Sequence, residues 1–92
     1  MRNLVEIHGL ELPEAHQVRR RIFKKFRENP LVKHLVVEIF TTESEDREKR
    51  AKPYLRLVNM CQDGTPLIIN QLLDFGFDVY HVKLNGFYLK KK

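Results

Sequence analysis

The sequence predicts an α+β fold: a ferredoxin-like βαββαβ antiparallel sheet, two helices on one face, and a further strand added by a C-terminal β-hairpin. Three observations predict it. Leu35-Val36-Val37-Glu38-Ile39-Phe40-Thr41 is apolar and rich in β-branched residues, and Pro53-Tyr54-Leu55-Arg56-Leu57-Val58-Asn59-Met60 alternates with period two, so both read as strands. The connection from Thr42 to Lys52 is almost wholly polar and holds no apolar run for a crossover helix. Strands joined in this way are antiparallel neighbours, which argues against a parallel α/β sandwich. Apolar residues at helical spacing on both sides of this pair supply the two helices.

The elements follow in order. Asn3 to His8 alternates as a first strand, with Val5 and Ile7 on one face and Leu4, Glu6 and His8 on the other, and Gly9 ends it. Pro13 suits the first position of a helix, and Glu14 suits its positive end. Ala15, Val18, Ile22 and Phe26 mark the buried stripe, widened by Phe23. Arg19, Arg20, Arg21, Lys24, Lys25 and Arg27 cover the rest, and Asn29-Pro30 stops the helix. After the central strands, Gln62-Asp63-Gly64 is a turn, and Thr65-Pro66 reads as an N-cap followed by proline. A short apolar helix through Leu72 and Phe75 ends at Gly76. Val79 to Leu84 is a strand, Asn85-Gly86 a two-residue hairpin turn, and Phe87 to Lys90 the last strand.

Strand parity assigns the faces. Val5, Ile7, Leu35, Val37, Ile39, Leu55 and Leu57 go under the helices, with Tyr80, Val82 and Leu84 joining them. Across an Asn85-Gly86 turn, Leu84 faces Phe87 and Val82 faces Leu89. The open face then carries Glu6, His8, His34, Val36, Glu38, Phe40, Tyr54, Arg56, Val58, His81, Lys83, Tyr88 and Lys90.

At 92 residues the chain is expected to be a single domain, 1–92. Lys plus Arg number 17 against 12 for Asp plus Glu, a balance of +5 that favours anionic partners. The single cysteine, Cys61, cannot form an internal disulfide, no apolar run reaches membrane-span length, and Met1-Arg2-Asn3-Leu4 does not open a signal peptide. A cytoplasmic protein is expected.

Aromatic and basic side chains mixed on an open sheet are what stacking of single-stranded bases requires. A ring offers a π-face to any base, and a cation neutralises phosphate. The expected function is a small non-enzymatic binding module for RNA or single-stranded DNA. Its binding residues are Phe40, Tyr54, Arg56, Lys83, Tyr88 and Lys90 on the sheet, or the basic helix face represented by Arg20 and Lys24. The alternative is a homo-oligomeric interaction module that makes its contact through the open sheet face or through an edge, where Leu35–Thr41 is a long apolar strand. His8, His34 and His81 share the open face with Glu6 and Glu38, but not at a diagnostic metal-ligand spacing. No metal or cofactor is expected and no catalytic residue is assigned, although His8 with Glu6 or Glu38 has the residue types of an acid–base pair. No glycine-rich phosphate loop occurs.

Val5-Glu6-Ile7-His8-Gly9-Leu10 followed by a helix resembles the opening strand and helix of Smr domains, which are associated with nucleic-acid cleavage. The resemblance covers about a quarter of the chain. The second Smr signature is a His-Gly-rich loop after the next strand, and here that place holds Thr41-Thr42-Glu43. A nucleic-acid-acting domain of this kind is the third expectation.

Overall fold

A computed structural model describes residues 3–32, 34–41 and 52–92. The elements are β1 (Leu4–His8), α1 (Leu12–Phe26), β2 (Leu35–Thr41), β3 (Pro53–Asn59), a 3₁₀ turn (Gln62–Gly64), α2 (Thr65–Asp74), β4 (Phe77–Lys83) and β5 (Gly86–Lys91). Element types and their order follow the sequence reading. The expected loop at 42–52 lies, except for Lys52, outside the described residues.

Both helices pack on one face of the sheet and share one core. Val5, Ile7, Leu55, Leu57 and Leu89 from the strands meet Val18 and Ile22 of α1 and Ile68 and Leu72 of α2. Most of these side chains are fully buried, and truncating one such leucine to alanine typically costs about 2–5 kcal/mol. β2 and β3 pair antiparallel, with Val37 opposite Leu57 and Phe40 opposite Tyr54.

The strand order is β2-β3-β1-β5-β4, which departs from the ferredoxin-like expectation. There the strand after the second helix would lie beside β1. Here β5 takes that place and runs parallel to β1, so the sheet is mixed and β4 is pushed to the outer edge. The side chains account for the exchange. β5 brings the fully buried Leu89 to the middle of the sheet, whereas β4 is exposed along most of its length. Gly86 opens β5 directly against β1, where a β-carbon would overlap the carbonyl and side chain of Leu4.

The C-terminal hairpin also turns one residue earlier than expected. Lys83 pairs with Gly86, so Leu84-Asn85 forms the loop. An Asn-Gly turn of type I′ needs positive φ at both residues, and neither Asn85 nor Gly86 adopts it. Val82 therefore faces Phe87, and Val79 faces Leu89. Tyr80, Val82 and Leu84, expected under the helices, are 47%, 43% and 88% exposed.

The two edges of the sheet differ. Asn59 donates its backbone N–H to Asn3 on the β1 side at 3.1 Å. Leu57, two residues away, points its backbone groups the same way, so Val37 opposite it directs its own to the free edge of β2. Arg19 reaches over from α1 and donates to that Val37 carbonyl at 3.2 Å. The Leu35 N–H is taken by Val32 at 3.1 Å. The first half of the β2 edge is thus partly closed to an incoming strand. β4, at the other edge, is interrupted by a bulge between Val79 and His81, and bulges discourage edge pairing.

Gly86→Ala should lower stability by about 1–3 kcal/mol, the usual cost of forcing extra volume into a packed site. Asn85→Ala, in the exposed loop, should change it by less than about 0.5 kcal/mol. Urea denaturation followed by circular dichroism checks both.

Candidate functional site

The open face is assembled by strand register. Phe40 on β2 is opposite Tyr54 on β3, Glu6 on β1 lies between Arg56 on β3 and Tyr88 on β5, and His81 on β4 is opposite Tyr88. Rings from all five strands therefore fall into one row across the sheet. The Phe40 and Tyr54 centroids are 5.5 Å apart, Tyr54 and His8 4.7 Å, His8 and Tyr88 6.3 Å, and Tyr88 and His81 6.2 Å. Cross-strand ring pairs of this kind each add a few tenths to about 1 kcal/mol to a sheet.

The β4 bulge adds a further ring. Val79 faces the core opposite Leu89, and the next paired residue is His81 rather than Tyr80. The extra residue leaves Tyr80 beside Lys90, whose Nζ lies 5.2 Å from the Tyr80 ring centroid. The phenol of Tyr80 is held above its ordinary value of 10.0, first by burial and then by the charges of Glu6 and Tyr88.

Among the described residues, three cations on the open face sit over ring faces, and on the helix side Arg19 and Arg21 lie over Phe23 and Phe75. The Arg56 guanidinium lies 4.8 Å from the Phe40 centroid, Lys83 Nζ lies 5.0 Å from Tyr88, and Lys90 covers Tyr80. At exposed sites such contacts are worth about 0.5–1 kcal/mol each, so a stronger anion can draw the cation away.

One carboxylate lies at the middle of the row. Glu6 is only 7% exposed. Its Oε1 is 2.8 Å from His8 Nε2, and its Oε2 is 3.3 Å from Arg56 Nε. A buried carboxylate needs such partners, because desolvation of an unpaired charge is costly. Glu6 thus fixes the His8 imidazole by a hydrogen bond and attracts the Arg56 guanidinium by charge, although Arg56 Nε makes no hydrogen bond. Among the described residues no group of three or more His, Cys, Asp or Glu side chains converges into a metal site.

Of the residues singled out in the sequence, Phe40, Tyr54, Arg56, Lys83, Tyr88 and Lys90 lie together on the open face. Arg20 and Lys24 lie exposed on α1, on the opposite side of the sheet. The structure changes the role open to Tyr54, because Phe40 stacks on one side of it and His8 on another. Its faces are spent on neighbouring rings, while Tyr80 and Tyr88 are covered by lysines. Tyr80 was missed because strict alternation buries it. The available signal was the spacing of Val79 and Val82, which cannot share a face without an extra residue between them.

No protein-family model, curated protein or solved structure matches this chain. Function must therefore be argued from the open face itself. Among the described residues no helix is long and apolar enough to cross a membrane.

The raised Tyr80 value carries a sign. The folded protein holds that proton more tightly than the unfolded chain, so the stabilisation is complete below pH 10 and lost as pH rises through the folded value. Ultraviolet titration should show a phenol ionising above pH 10 that disappears in Tyr80→Phe and moves down in Glu6→Gln.

Proposed function

We propose that the open face of the sheet binds single-stranded RNA or DNA. The observation that supports this most is the pairing of ring faces with lysines at Tyr80 and Tyr88. On binding, phosphates draw Lys90 and Lys83 off the rings, and the uncovered faces stack against bases. Both partners gain, since a base–aromatic stack is worth about 1–3 kcal/mol and a phosphate–cation contact releases counterions. The net charge of +5 favours the encounter.

Self-association through a sheet edge is the alternative from a different class. Arg19 on the Val37 carbonyl and the bulge in β4 both work against edge pairing, which puts this reading second.

The basic face of α1 is the natural internal control. Fluorescence anisotropy of a labelled oligonucleotide should show binding that weakens steeply as salt rises. Tyr88→Ala and Tyr80→Ala should each cost about 1–3 kcal/mol of affinity. Arg20→Ala combined with Lys24→Ala should cost far less. Absence of binding at low salt, or loss of binding only in the α1 variant, would contradict the proposal.

A further inference from the structure

Resting on that reading of the open face, we propose that His8 selects RNA over DNA by accepting a hydrogen bond from the ribose 2′-hydroxyl. The chemistry starts at Glu6. A carboxylate accepts hydrogen bonds, so the imidazole nitrogen 2.8 Å from it, Nε2, carries the ring proton. In the neutral ring the other nitrogen, Nδ1, is then an acceptor. A second-sphere carboxylate fixes a histidine tautomer in the same way at many functional sites.

His8 keeps 32% of its side chain exposed, and the hydrogen bond its ring makes among the described residues uses Nε2, which leaves Nδ1 for a ligand. The ring cannot easily turn away, because it is stacked 4.7 Å from Tyr54 and anchored to a carboxylate that is itself buried.

Position decides which donor meets it. His8 lies 6.3 Å from Tyr88, a base platform, and in register beside Lys90, a phosphate-binding cation. In any strand the sugar lies between base and phosphate. Of the groups on the sugar and phosphate within a chain, only the 2′-hydroxyl offers a donor, and DNA lacks it. A nitrogen held as an acceptor at this point therefore rewards ribose and gives nothing to deoxyribose.

The test compares strands of one base. Labelled oligouridylate, oligodeoxyuridylate and 2′-O-methyl oligouridylate of roughly 12 nucleotides are titrated with the unmutated protein and with His8→Phe. Phenylalanine keeps a ring against Tyr54 and removes the nitrogen. The unmutated protein should bind the RNA about five- to tenfold tighter than the deoxy strand, the usual worth of one hydrogen bond. The 2′-O-methyl strand, whose oxygen has no hydrogen to donate, should bind like the deoxy strand. His8→Phe should bind all three alike. Equal affinity of the unmutated protein for the three strands would overturn the role of His8 while leaving the binding face in place. A ribose preference that survives in His8→Phe would overturn it too. Failure to bind any strand would remove the binding reading and this role with it.

Discussion

The open face depends on where β1 sits. It is the middle strand, antiparallel to β3 on one side and parallel to β5 on the other. That double pairing brings Arg56 and Tyr88 to either side of Glu6, and Tyr54 and Lys90 to either side of His8. It is possible because β5 begins with a glycine where β1 presents the Leu4 backbone. A bulkier residue at that point would separate β5 from β1 and break the row of rings between His8 and Tyr88. The same alternation that sends Val5 and Ile7 into the core sends Glu6 and His8 to the open side. Folding and site geometry therefore rest on the same strand.

The rings are not equivalent. Those in the β2–β3–β1 half stack on one another, so their faces serve the protein. In the β5–β4 half the rings are farther apart or tilted, and lysines cover what a base would use. One half is a scaffold that holds His8 and Arg56 still, and the other is the adaptable surface. Glu6 joins them. By charge alone it opposes a phosphate-bearing ligand, but it fixes His8 by a hydrogen bond and attracts Arg56 by charge.

The periodicities of the central strands and of α1 were legible, and with them the pairing of β2 with β3 and the core residues of β1, β3 and α1, but not those of β4, where Tyr80, Val82 and Leu84 are exposed. The position of β5 was not. Whether β4 or β5 lies beside β1 depends on the close approach of Gly86 to Leu4 and on the burial of Leu89, which are tertiary facts. The Asn85-Gly86 pair carried a strong local preference for one turn, and the pairing of Lys83 with Gly86 overrode it. Most of the candidate face was found by parity, because one register error does not propagate into β1, β2 and β3. It did propagate into β4, where the unseen bulge hid Tyr80. The bond between Glu6 and His8 joins residues two apart on one strand, so both lay on the right face in the sequence, but the choice of partner for each required the structure.

The most direct test of the account is a nuclear magnetic resonance titration of isotopically labelled protein with a uridine-rich single strand of RNA. The account predicts that the ring signals of Tyr80, Tyr88 and His81 and the side-chain signals of Lys83 and Lys90 move together, while Arg20 and Lys24 on α1 stay in place. Shifts confined to α1, or no shifts at all, would contradict it.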